Sequence, residues 1–218
     1  MDFSQDIKTI KTSSGEYKAL SVVLATGASP RKLNFPGEEE YTGRGVAYCA
    51  TCDGEFFTGM EVFVVGAGFA AAEEAIFLTK YATKVTIIAR EPEFTCAKSI
   101  AEKVLNHPKI EVRFNTELLE AKGDIQLRSA VFKNNVTGEI SEYKAKDGKS
   151  FGIFIFVGYE PQSKLFKNHI ELDQYGFIPT DGDLQTNVKG VYAAGDIRPK
   201  KLRQLVTAVS DGAVAAVN

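Results

Sequence analysis

Cysteine is scarce in this chain of 218 residues: there are three, at positions 49, 52 and 96. So sparse and odd a set does not read as the disulfide framework on which small secreted domains depend. Long apolar runs are missing as well. A membrane span needs about 18 apolar residues in a row, whereas the densest stretch, residues 151–159, is short and broken by glycine. The opening MDFSQDIKTIKT lacks the basic-then-apolar order of a signal peptide. Neither sign of charge dominates: the formal net charge is -2, which argues against nucleic acid or an anionic membrane as the main partner. The expected location is the cytoplasm. Hydrophobic residues at 44% and charged residues at 25% provide a core for one large domain or two small ones.

Residues 7–11 and 17–24 read as strands around a Ser13-Ser14-Gly15 turn. Residues 28–45 carry Pro30, Pro36, Gly37, Gly43 and Gly45 among polar residues and form the best linker candidate, with a second composition shift at 158–163. Between them lies the clearest unit. EVFVV at 61–65 suits a buried parallel strand, 70–81 is a helix by composition and spacing, and KVTIIA at 84–89 is a second buried strand. Residues 99–105 follow as a helix and 110–114 as a strand. Residues 127–132 and 140–144 make a hairpin, and 151–157 another buried strand. Short strands are expected at 177–179 and 191–193, and a helix from Gln204 to the end.

Three motifs carry chemistry. Gly66-Ala67-Gly68-Phe69-Ala70-Ala71 is a G-x-G-x-x-A turn between a strand and a helix. Its first glycine permits the tight turn, Gly68 permits close approach of a pyrophosphate to helix-start N–H groups, and Ala71 permits close helix–strand packing. Cys49-Ala50-Thr51-Cys52 is a C-x-x-C pair, in which one thiol is activated and the other resolves a mixed disulfide; Asp53 stands next to it as a proton donor or acceptor. The alternatives are a structural disulfide and half a zinc site, for which only Cys96, His107 and His169 remain, none in paired spacing. Ala193-Ala194-Gly195-Asp196 ends a strand on a carboxylate, which serves equally as a cofactor hydroxyl acceptor or as a helix cap.

ATG at Ala25-Thr26-Gly27, CATCDG at 49–54, the glycine turn, and AAGD followed by Arg203-Gln204 stand in the order and spacing of bacterial low-molecular-weight thioredoxin reductases. The whole chain resembles that family, and CATCDG is its most specific string. The resemblance implies an α/β fold in which a Rossmann-like pyridine-nucleotide domain, about 41–159, is inserted into an FAD-binding Rossmann-like domain contributing 1–40 and 160–218. It implies Cys49 and Cys52 as the redox disulfide, Cys52 facing the flavin and Cys49 attacking thioredoxin or a thioredoxin-like protein, with Asp53 as the acid. It places Thr26 and Gly27, Gly195 and Asp196, and Arg203, Gln204 and Leu205 against FAD. It places Gly66, Gly68, Ala70, Ala71 and Arg90 against the pyridine nucleotide. A homodimer is implied too.

Two departures from the family stand out. The N-terminal G-x-G-x-x-G unit that cradles FAD is absent and the last helix is cut short, so the chain reads as part of a longer protein with an incomplete FAD site. After the second strand of the insert the family's NADPH-using members carry His-Arg-Arg-x-x-x-Arg; here the stretch is Ala89-Arg90-Glu91-Pro92-Glu93-Phe94-Thr95. A carboxylate there repels a 2′-phosphate and accepts a ribose hydroxyl. NADPH is therefore expected to be a poor donor, with NADH or ferredoxin in its place. Because the disulfide and the glycine turn share the insert, it is expected to rotate about its two linkers. A non-catalytic nucleotide-binding protein is the competing class, for which an acid beside C-x-x-C has no use.

Overall fold

The computed structural model describes residues 1–218, apart from the side chain of Asp147. In chain order the strands are β1 (Lys8–Thr12), β2 (Gly15–Ala19), β3 (Val22–Leu24), β4 (Ala28–Pro30), β5 (Val46–Ala47), β6 (Glu61–Val65), β7 (Lys84–Ile88), β8 (Ile110–Arg113), β9 (Thr116–Gly123), β10 (Leu127–Asn134), β11 (Ile140–Lys144), β12 (Gly152–Ile155), β13 (Tyr159–Pro161) and β14 (Val191–Ala193). The α-helices are α1 (Ala50–Asp53), α2 (Phe69–Leu78), α3 (Lys98–Leu105) and α4 (Leu205–Val217). They fall into two compact units, Pro30–Gly158 and the pair of segments Met1–Ser29 and Tyr159–Asn218.

The central unit is built on a parallel sheet in the order β5-β12-β6-β7-β8. Both faces of this sheet are covered, which is why its inner strands β6 and β12 read as near-continuous apolar runs. Alternation divides them: Val62 and Val64 of β6 pack with α2 residues Ala71, Ala72, Ala75 and Leu78, while Phe63 and Val65 face the opposite cluster. That second cluster lies against the antiparallel β11-β10-β9 sheet, with the Phe63 ring 5.0 Å from Phe132 and 4.9 Å from Tyr143. Phe63 is fully buried, and taking such a side chain out of water is worth about 1.5–3 kcal/mol. Three alanines at helical spacing let α2 lie close on the sheet.

Within the stretch 28–45 expected as a linker, several residues are packed into this unit. Phe35 and Tyr41 are in the core, and Gly37 (φ +94) lies where a Cβ would stand 2.1 Å from the Ala121 carbonyl oxygen. Glycine is required there by close approach, not by flexibility. The stretch leads directly into β5, an edge strand of the parallel sheet.

In the other unit β14 pairs in parallel with β3, Val191 opposite Val22, and β1 pairs antiparallel with β2. Phe3, Leu24, Phe166, Ile178, Val191 and Ile197 make its core. The single strand expected at 17–24 is two, separated at the exposed Leu20. Residues 177–179 are not a strand: the Phe177 N–H is taken by the Asp173 carboxylate at 2.9 Å, and the Ile178 N–H by the Ile197 carbonyl at 3.0 Å. Local side-chain and loop bonds have claimed the donors a ladder needs. Among the described residues no helix is long and apolar enough to cross a membrane.

Candidate active site

All five strands of the parallel sheet run one way, so the turns after β5, β6 and β12 open on a single edge, where open α/β sheets hold their ligands. Chain leaving β5 reaches Cys49 after one residue, Tyr48. Cys49 is extended (φ -142) and is the N-cap of α1, its Sγ accepting the Cys52 N–H at 3.1 Å; the Asp53 N–H closes the turn on the Cys49 carbonyl at 3.0 Å. Cys49 and Cys52 form a disulfide with their Cα atoms 5.3 Å apart. Bonded to each other, the two sulfurs are not metal thiolates, and among the described residues no cluster of His, Cys, Asp or Glu is placed to hold a metal ion.

Packing fixes this turn. Ala50 is buried, a Cβ on Gly54 would meet Leu78 of α2 at 3.2 Å, and the Phe57 ring stands edge-on to Phe154 of β12 at 5.0 Å. Cys52 is exposed and Cys49 half-buried, so a partner can reach the pair. Asp53 is half-buried, and burial raises its carboxyl above the ordinary value, which favours the proton-carrying form.

Gly66 opens the next turn with φ +139, and a Cβ there would lie 2.4 Å from the Phe156 carbonyl oxygen. Gly68 is the N-cap of α2, whose first N–H groups have no intrahelical acceptors. Ala71 is buried beneath the turn, 3.1 Å from the same hypothetical Cβ, and Ala70 is exposed. Past the end of β7, Arg90 donates through Nε to the Glu91 carboxylate at 2.9 Å. Thr95 folds back over the glycine turn onto the Ala67 carbonyl.

In the other unit Thr26-Gly27 and Gly195-Asp196 follow the parallel strands β3 and β14 and therefore share an edge as well. The Thr26 hydroxyl is spent on the Gln162 carbonyl at 2.8 Å. Gly195 (φ +77) is pinned by Asp211 of α4, which accepts its N–H at 2.8 Å on the oxygen that also carries Lys200 (2.6 Å) and Arg198 (2.9 Å). Arg203 lies between the Tyr159 and Phe177 rings, its guanidinium 5.0 and 4.8 Å from their centroids. Gln204 caps α4 through its backbone, which is bonded to the Thr207 hydroxyl, and Leu205 is exposed. Two buried polar atoms here lack a partner among the described residues, Asp196 Oδ1 and Arg203 Nε. Buried polar atoms are rarely left so. One acceptor and one donor beside a left-handed glycine fit a ligand bearing both hydroxyls and acceptor atoms, as FAD does.

Neither Glu38 nor Asp211, both deep in hydrogen-bonded clusters, belongs to a motif; the burial of a carboxylate is invisible in a sequence without its partners.

A disulfide closed in a single turn, on the same sheet edge as a nucleotide-type glycine turn, defines a dithiol–disulfide oxidoreductase of Rossmann-like build. The profile of the pyridine nucleotide-disulphide oxidoreductase family matches residues 2–212. Thioredoxin reductase from Peptoclostridium litorale is 56% identical over 100% of this chain and 69% of its own length, and that from Peptoclostridium acidaminophilum 57% identical over 99% and 69%. The solved thioredoxin reductase of Streptococcus pyogenes superposes with a TM-score of 0.86 at 38% identity, covering 98% of this chain and 68% of that one. The chain belongs to this family, and within it to the thioredoxin reductases.

Proposed function

We propose that the full-length protein reduces the disulfide of thioredoxin, passing electrons through FAD to the Cys49–Cys52 pair and out to the partner. What carries this reading is the disulfide turn itself, reachable from solvent and adjacent to an acid whose carboxyl burial shifts toward its proton-carrying form. Asp196 and Arg203 would hold the cofactor, together with the Thr26-Gly27 and Gly195 turns and the start of α4 at Gln204 and Leu205. Bound flavin, once reduced by its donor, would supply two electrons. They break the bond between Cys49 and Cys52, leaving Cys52 as thiolate, while the Cys49 sulfur takes a proton from Asp53. Asp53 recovers that proton as Cys49 attacks one sulfur of the thioredoxin disulfide and expels the other as thiolate. Cys52 then attacks Cys49, the pair closes again, and thioredoxin leaves as a dithiol with protons from Asp53 and solvent.

For the nucleotide, Gly66, Gly68, Ala70 and Ala71 suit the pyrophosphate, and we propose NADH over NADPH. Supporting this, the lone arginine at the end of β7 is paired to Glu91, and Thr95 stands where a second guanidinium would serve a 2′-phosphate. A carboxylate accepts a ribose hydroxyl but opposes a dianion. The cytoplasm, where thiols stay reduced, suits such turnover.

Serine at Cys49 or at Cys52 in the full-length flavoprotein should abolish thioredoxin reduction while a reduced donor still bleaches the flavin. Undiminished reduction by the Cys52→Ser protein overturns the reading. Running the assay with NADH, NADPH and reduced ferredoxin in turn decides the donor.

A further inference from the structure

Between the boundary at Pro30 and the disulfide lies a buried carboxylate, Glu38. Glu38 is 2% exposed, yet both its oxygens are used. Oε1 accepts the Leu33 N–H at 3.0 Å and the Tyr48 hydroxyl at 2.7 Å, and Oε2 accepts the Asn34 N–H. Its own carbonyl takes the Thr42 hydroxyl at 2.7 Å. Asn34 is left-handed (φ +60), a conformation asparagine adopts more readily than most side chains, and its N–H is held there by the carboxylate. Burial, then the Glu38 carboxylate, pushes the Tyr48 phenol above its ordinary value, so Tyr48 stays a donor throughout the working pH range. Tyr48 is the residue immediately before Cys49.

We propose that Glu38 is a positioning residue for the redox disulfide: its buried carboxylate locks Tyr48, and with it the exit of Cys49 from β5, to the segment by which the chain enters this unit. The proposal rests on the thioredoxin reductase reading and extends it from the sulfurs to what aims them. Sulfur exchange is strict about line of attack, and misplacement of reacting atoms by about 1 Å costs on the order of a hundredfold in rate. A carboxylate is required because the neighbours are three donors. A glutamine offers one acceptor oxygen, so its amide nitrogen must face either the Asn34 N–H or the pair from Leu33 and Tyr48.

The test uses the full-length flavoprotein and separates the two half-reactions under anaerobic rapid mixing. Tyr48→Phe keeps the ring and removes one bond; Glu38→Gln removes the charge and breaks either the Asn34 bond or the Leu33–Tyr48 pair. Transfer from reduced flavin through the pair to oxidised thioredoxin should slow about tenfold in the first and about a hundredfold in the second, while reduction of the flavin by its donor keeps its wild-type rate. A merely structural lesion slows both halves together, and that result overturns the proposal. So does a Tyr48→Phe protein unchanged in both, which decides the matter even if Glu38→Gln fails to fold. Failure of the reductase reading itself is distinguishable, because then Cys52→Ser also leaves thioredoxin reduction intact.

Discussion

Thr95 sets both its backbone N–H and its hydroxyl on the carbonyl oxygen of Ala67, at 2.9 and 3.2 Å. The loop after β7 is thereby tied to the glycine turn by a residue with no charge to offer. Beyond β7 the Arg90 guanidinium lies against the Glu91 carboxylate, its Nε 2.9 Å from Oε1. Changing Glu91 to Arg should raise the preference for NADPH over NADH at least about tenfold, since a tenfold change needs only about 1.4 kcal/mol and a guanidinium–phosphate pair exceeds that once a repelling carboxylate is gone. The ratio of kcat/KM for the two donors measures it. No change in that ratio removes Glu91 from donor choice.

Gly66 admits no side chain. A Cβ would be 2.4 Å from the Phe156 carbonyl oxygen, a backbone atom that can yield only by moving β12. Positive φ adds a further penalty for an L-residue. Gly66→Ala should cost at least about 2 kcal/mol and weaken nucleotide binding. Urea unfolding and dinucleotide titration report the two effects separately.

The sheet of the central unit was legible because EVFVV, KVTII and GIFI are short, β-branched or aromatic, and mostly apolar, the mark of strands covered on both faces. β9 was not: TELLEAKG buries Thr116, Leu118 and Ala121 but scatters charges among them, and it pairs with β10 through two register shifts that break the alternation. The 30–45 stretch looked loose because proline and glycine mark both linkers and tightly approached turns, and only the neighbour of Gly37 tells which. C-x-x-C and G-x-G-x-x-A are local and needed no tertiary information. Glu38 to Tyr48 and Asp211 to Gly195 span 10 and 16 residues and follow no periodicity.

Asp211 gathers Lys200, Arg198 and the Gly195 N–H on one carboxylate oxygen. Burial opposes its ionisation, but these three donors prevail and hold its pKa below the ordinary carboxylate value. The sign follows: a lowered folded-state pKa contributes stability above the unfolded value, and that contribution fades as pH falls through the folded one. Asp211→Asn should cost about 3 kcal/mol at neutral pH by leaving two half-buried cations short of a counter-charge. Its disadvantage should shrink in acid. Denaturant midpoints for the two proteins at neutral pH and near pH 3 check both statements, and a gap of constant size contradicts them.

Asp53 answers to the opposite shift. Burial raises its carboxyl, so the proton-carrying form persists to higher pH than in an exposed aspartate. A group that gives its proton to the Cys49 sulfur works only while it holds one, and the rate of disulfide opening should fall as pH rises through that elevated value. Asp53→Asn removes the proton but keeps the shape. It should slow opening about a hundredfold, within the usual range for loss of a positioned acid, and flatten the alkaline limb of the pH profile. The two signs together separate proton donation from packing: a variant that is slow but keeps the wild-type limb would place the titrating group elsewhere. Flavin reoxidation by the disulfide, followed at several pH values in single turnover, distinguishes the cases.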